Sequence, residues 1–123
     1  MSPTQRTLAE CKRRGWIAQV VERWNAHARI RQDLFGFIDV LALDGKRTYG
    51  IQATSATNVA SRLHKIHDSE MKSAWMDAGN GILVWGWGKR KFRTKSGAWS
   101  KQGRWELREL EVLEGYRCHR VVA

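Results

Sequence analysis

Asp39 sits inside the run Asp33-Leu34-Phe35-Gly36-Phe37-Ile38-Asp39-Val40-Leu41-Ala42-Leu43, and thirteen residues beyond it begins the triplet Gln52-Ala53-Thr54. Alternation places Phe37, Asp39 and Leu41 on one face of the run and Ile38, Val40 and Ala42 on the other. Both faces are apolar, so the pattern predicts a central strand covered on both sides. A carboxylate there is costly unless it is hydrogen-bonded, paired or bound to a metal. Capping a turn or accepting backbone amides is the purely structural role open to it. Glu10, Glu22 and Asp33 are further acids within reach of such a site, and Arg62 and Lys65 follow the triplet.

The elements that must position these residues are legible in outline. Thr4 to Arg14 reads as a helix that ends on Lys12, Arg13 and Arg14 and stops at Gly15. Trp16 to Trp24 alternates as a strand, and Asn25 to Gln32 reads as a polar, basic connection. After the Asp39 strand, Asp44-Gly45 is a tight-turn signal, and Thr48 to Thr54 is the paired strand that follows it. Thr57 or Asn58 can cap a helix carrying Val59, Leu63 and Ile66. A second helical piece carries Met71, Ala74, Trp75 and Ala78 and closes at Gly79-Asn80-Gly81. Ile82 to Trp87 and Arg104 to Leu113 read as strands separated by a long loop.

At 123 residues the chain is expected to form one domain, residues 1–123. Its 42% hydrophobic and 28% charged residues argue against disorder. The formal charge of +10 comes from 22 Lys and Arg against 12 Asp and Glu, and makes acidic partners, nucleic acid first, the default expectation. Cys11 and Cys118 form no CxxC, no apolar run is long enough to span a bilayer, and no secretory signal opens the chain. A cytoplasmic protein without a membrane partner is expected.

Charge is concentrated near residues 88–105, where a basic hairpin carries Lys89, Arg90, Lys91, Arg93, Lys95, Lys101 and Arg104 and no acid before Glu106. Phe92, Trp99 and Trp105 are interleaved with them. Phosphates would be neutralised by the cations, and an exposed ring can stack on a base. Trp85, Trp87 and Trp105 lie on strands and are expected to fold into the sheet. His64, His67, Cys118 and His119 show no zinc-finger spacing and read as separate surface groups, and His27 has no evident partner.

The helix–strand–strand–strand–helix–strand order, with Asp39 in the second strand and Gln52-Ala53-Thr54 in the third, resembles the PD-(D/E)XK nuclease superfamily. The chain also resembles a divergent group of small phage and bacterial members. Those carry a D-L-F-G-F-x-D strand, a Q-x-T-S triplet and an R-x-x-K-I helix, matched by Asp33 to Asp39, Gln52 to Ser55 and Arg62 to Ile66. The resemblance implies an α/β domain with a restriction-endonuclease-like αβββαβ core, a mixed sheet flanked by helices. It implies Mg²⁺ or Mn²⁺ held by Asp39 and Gln52, with the carbonyl of Ala53 as a further oxygen and Glu22 assisting. Phosphodiester hydrolysis would then use the cation to activate water and stabilise charge. Gly50, Gln52 and Thr54 would share a face with space for a phosphate. Glu10 resembles a helix Glu that some members add to the site.

Two departures stand out. Gln52 replaces a carboxylate, which removes one negative charge, and Thr54 replaces the Lys that assists the attacking water. Lys65 or Arg62 would stand in from the following helix, although Arg cannot deprotonate water. Three functions follow: a metal-dependent DNA nuclease or resolvase-like enzyme; a nuclease fold that has lost catalysis and binds nucleic acid; or an interaction factor with an acidic protein partner. A homodimer is compatible with the resemblance, since members often pair to cut two strands.

Overall fold

The computed structural model describes residues 1–122. Helix α1, Pro3–Arg14, starts because Ser2 and Gln5 form a reciprocal capping box and Pro3 sits in the first turn. It ends where Gly15 adopts φ +79° and three basic residues meet the helix C-terminus. Strands β1 (Ile17–Val20), β2 (Arg23–Asn25), β3 (Ile30–Gln32), β4 (Val40–Leu43) and β5 (Thr48–Ser55) follow. A 3-10 turn, Ala56–Asn58, leads into α2 (Val59–His67) and α3 (Met71–Asp77), and β6 (Gly81–Arg90), β7 (Arg104–Val112) and β8 (Cys118–Arg120) complete the chain.

Six strands form one mixed sheet in the order β1-β4-β5-β6-β7-β8. Every neighbouring pair is antiparallel except β5–β6, the pair joined through α2 and α3. A parallel pair needs such a crossover, because a tight turn cannot return the chain in the same direction. The chain is thus α/β, with helices on both faces of the sheet. On one face Cys11 of α1 packs with Val40, Ala42, Ile51, Leu83 and Trp85. On the other, Val59 and Ile66 of α2 pack with Phe37, Ile38, Ile82, Val84 and Leu110, and Trp75 of α3 lies against them. Burying these two apolar layers is the main force that holds the fold.

The expected elements hold in outline, with departures in several segments. The Trp16–Trp24 strand breaks after Val20. Val21 donates its N–H to the Asp39 carbonyl at 2.8 Å, and the chain then leaves the sheet. The residues read as a polar connection instead fold into the separate β2–β3 hairpin. Its turn is built by Asn25, whose side-chain oxygen accepts the N–H groups of His27 and Ala28, and by Arg29 at φ +54°. An exposed two-stranded ribbon buries no face, so no hydrophobic alternation marks it.

The Asp33–Leu43 strand is likewise shorter than the pattern predicts. Leu34 and Ile38 pair across a tight turn in which Phe35 adopts φ +54° and Gly36 φ +83°. A left-handed Phe costs about 1–3 kcal/mol, which surrounding structure must offset. The chain bends at Asp39 and the strand begins at Val40. Ile38 and Val40 therefore pack on opposite sides of the sheet, contrary to simple alternation. The Asp44-Gly45 turn forms as expected, with Asp44 Oδ1 accepting the N–H groups of Lys46 and Arg47. At the other end, β6 and β7 run on to an Arg90–Arg104 pair, so the basic loop is shorter than the sequence implies. Strand β8 carries no apolar pattern and was not anticipated.

Candidate functional site

The bend at Asp39 is fixed from both sides. Its N–H donates to the Ile51 carbonyl at 3.0 Å, and its carbonyl accepts from Val21. The side chain is 4% exposed, and its Oδ2 accepts the Ala53 N–H at 2.9 Å and the Gln52 Nε2 at 2.5 Å. Asp39 is therefore held by the third-strand triplet that the sequence set opposite it.

Two other carboxylates face it. Arg23 pairs with Gln32 in the β2–β3 hairpin, so continuing that register by one step sets Glu22 opposite Asp33. Both acids thus sit where the hairpin joins the sheet, and Asp39 follows one tight turn later. One oxygen from each of Glu22, Asp33 and Asp39 lies within 4.8 Å of the others. Among the described residues this is the only such grouping of three or more acidic, His or Cys side chains. Like charges this close repel, and low surrounding polarity strengthens the repulsion.

The protonation of the cluster reflects that crowding. Burial, then the hydrogen bond to Asp33 and the charges of Asp33 and Glu22, push the Asp39 carboxyl up to about 8, against the pull of the Ala53 amide. Burial would raise Asp33 as well. The hydrogen bond from Asp39, together with the hydrogen bond and charge of Lys65 and the charge of Arg62, holds it below the ordinary range instead. The two carboxyls titrate as a coupled pair, with Asp39 shifted toward the protonated form and Asp33 toward the ionised one. A bound divalent cation would replace the proton of that pair.

Lys65 reaches the cluster from α2, with Nζ 2.8 Å from Asp33 Oδ2 and 3.4 Å from Gln52 Oε1. Arg62 is half-buried one turn earlier. Arg31 holds Glu22 at 3.1 Å. Gln52 is buried and turns its amide nitrogen, not its oxygen, toward Asp39. The second and third carboxylates beside Asp39 are Asp33 and Glu22. Hard oxygen donors from three chain segments are the donor set that suits Mg²⁺ or Mn²⁺.

The space over the site is not where the sequence put it. A Cβ on Gly50 would meet Ile38 and Trp75 side-chain atoms at 2.8 to 3.2 Å, and Thr54 is buried. Those packed side chains fill the Gly50 face. The open cleft, of about 700 Å³, lies toward the hairpin and is lined by Arg23, Arg31, Asp33, Phe35 and Lys65 among others. Arg23, Arg31 and Phe35 were not singled out from the sequence, because the hairpin and turn that carry them have no periodic signal. Glu10 is bound to Arg13 and Arg14 on α1 and takes no part in the cluster.

The basic residues Lys89, Arg90, Lys91, Arg93, Lys95, Lys101 and Arg104 are all exposed along the β6–β7 hairpin. Gln52 pairs with Val84, five residues before Lys89. At about 3.3 Å per residue the hairpin cations thus begin roughly 17 Å along the sheet from the acidic cluster. Their rings are already engaged: Arg104 lies 3.7 Å over Phe92, Arg93 4.1 Å over Trp99, and Arg6 3.6 Å over Trp105. Trp85 and Trp87 are buried as expected, whereas Trp105 is 42% exposed because its end of β7 extends past the packed core. The histidines and Cys118 do not converge: His67 contacts Lys72, and His119 contacts Glu111.

No family model, curated protein or solved structure matches this chain. No helix among the described residues is long and apolar enough to cross a membrane. The functional reading rests on the site itself.

Proposed function

We propose that this protein is a divalent-metal-dependent phosphodiester hydrolase acting on nucleic acid, DNA first, on a restriction-endonuclease-like core. The observation that carries the reading is the convergence of Glu22, Asp33 and Asp39 within 4.8 Å beside the Lys65 ammonium. The reading is supported by the order of α1, β1, β4, β5, α2, α3 and β6, into which the β2–β3 hairpin is inserted.

Asp39, Asp33 and Glu22 would hold Mg²⁺ or Mn²⁺, which supplies Lewis acidity toward a phosphoryl oxygen and an acidified water. Gln52 orients Asp39 through its amide and faces Lys65 through its oxygen. Lys65 stands between Asp33 and the open cleft, where its ammonium offsets charge on a phosphate and orients the attacking water. This gives the missing triplet Lys a replacement from α2. Arg23 and Arg31 on the cleft wall and the β6–β7 cations would draw in and align the strand.

A second reading keeps nucleic-acid binding without catalysis, and it is favoured by the Gln52 amide nitrogen occupying the near side of Asp39. Incubating single-stranded, duplex, flap and four-way-junction DNA with Mg²⁺ or Mn²⁺, beside Asp39→Ala, separates the two. Metal-dependent cleavage that disappears in the variant is expected. Salt-sensitive binding without cleavage by the wild type would establish the second reading instead.

A further inference from the structure

Phe35 borders two cavities. One is the open cleft beside the carboxylate cluster; the other, of about 290 Å³, is lined by Phe35, Met71, Ala74, Trp75, Ala78 and Asn80. The second cavity is apolar apart from Asn80, because the Trp75 indole N–H is committed to the Gly81 carbonyl at 2.8 Å. Its size lies at the lower end of small-ligand pockets, about 300 Å³.

Phe35 itself is unusual. Its backbone is in the left-handed region at φ +54°, yet the residue is 50% exposed and its ring lies against Trp75 with centroids 6.1 Å apart. Met71 beside it is 49% exposed. A strained backbone that holds an aromatic ring at the lip of a charged cleft does little for the core. It does present a flat apolar surface next to Arg23, Arg31 and Lys65, the cations that line the adjoining cleft.

Resting on the hydrolase reading, we infer that the pocket beside Phe35 receives an unpaired nucleobase while the adjoining phosphate lies in the cleft lined by Arg23, Arg31 and Lys65. The occupant is argued from the combination of an apolar slot, one amide and neighbouring cations. A nucleotide has those complementary parts: a stacking face, a hydrogen-bonding edge and a phosphate. Asn80 is the one polar residue on the lining and the candidate partner for the base edge, and Phe35 and Met71 would flank its face. The substrate class is therefore single-stranded or locally unpaired nucleic acid rather than a continuous duplex, since a paired base cannot enter the slot.

The test is binding of a single-stranded oligonucleotide carrying a central 2-aminopurine, and of its abasic counterpart, with Ca²⁺ present. Wild type, Phe35→Gly and Phe35→Leu are compared. Glycine accepts φ +54° without strain, so Phe35→Gly removes the ring while favouring the turn, and its melting temperature confirms folding. The wild type should quench the fluorophore and prefer the intact strand about tenfold over the abasic one, and Phe35→Gly should lose both effects. Equal affinity of the wild type for both strands, or a preference retained in Phe35→Gly, would overturn the assignment. Cleavage is scored separately with Mg²⁺. Base preference without cleavage keeps the pocket and removes the hydrolase, and cleavage without base preference does the reverse. Absence of any nucleic-acid binding removes both.

Discussion

The acidic cluster gathers its charges under cover, whereas the basic hairpin spreads its charges in water. Asp39 is 4% exposed, and its partners come from β5 and from the two links that join the β2–β3 hairpin to the sheet. The hairpin cations from Lys89 to Arg104 are exposed, and several rest on aromatic faces. Where charges are covered, their mutual repulsion is strong enough to shift a proton, which is a condition for chemistry. Where they are solvated, each pairwise interaction is weak and salt-dependent, and their sum serves to attract a polyanion. On the proposed reading, burial is what would separate catalysis from capture.

The sharpest way to break this comparison is Asp39→Asn. The amide fits the same space and can still accept from Ala53, so the fold should persist. Metal-dependent cleavage should fall about a thousandfold, the equivalent of several kcal/mol of charge stabilisation. The pH dependence of stability gives an independent check. Asp39 is raised to about 8 from an ordinary 3.8, so the folded state binds more protons than the unfolded one across that window. Wild-type stability without metal should therefore fall as pH rises from about 4 to 8 and then level off. In Asp39→Asn that decline should flatten, as thermal melts from pH 4 to 9 would reveal.

Lys65 is the next largest. Lys65→Met should lower kcat by about a hundredfold. Lys65→Arg restores a cation beside Asp33 but not a group able to release a proton, so partial recovery assigns Lys65 to charge and no recovery assigns it to proton handling. Changing Lys89, Arg90, Lys91 and Arg93 together to Gln should act on the other side of the comparison. Affinity should drop and the slope of log K against log salt should become shallower by roughly 3 to 4, with kcat at saturating substrate retained. An unchanged salt slope would remove the hairpin from the nucleic-acid surface.

The smallest effects distinguish covered from open ground. Gly50→Ala forces a Cβ against Ile38 and Trp75 and should cost about 1–3 kcal/mol in chemical denaturation. Lys95→Ala, in the exposed loop, should change stability by about 0.5 kcal/mol or less.

Much of the scaffold was legible because burial leaves a periodic trace. The capped α1, the Asp44-Gly45 turn and strands β5 to β7 follow from apolar spacing and turn residues. The pairing of Asp39 with the Gln52 triplet was legible for the same reason. The Glu22–Asp33 encounter was not, since it depends on the register of an exposed hairpin whose residues face water on both sides. Phe35 was hidden differently: within an apolar run it reads as core, and only the left-handed turn puts its ring outside.

The most direct test of the acidic centre is a calorimetric titration of the metal-free protein with Mn²⁺ near pH 7, repeated in buffers of different ionisation enthalpy. Binding of an ion at the cluster should release about one proton, that of the coupled Asp33 and Asp39 pair, and Asp39→Asn should show neither the binding nor the release. No binding at millimolar Mn²⁺, or equal binding by Asp39→Asn, would contradict a metal centre built on Glu22, Asp33 and Asp39.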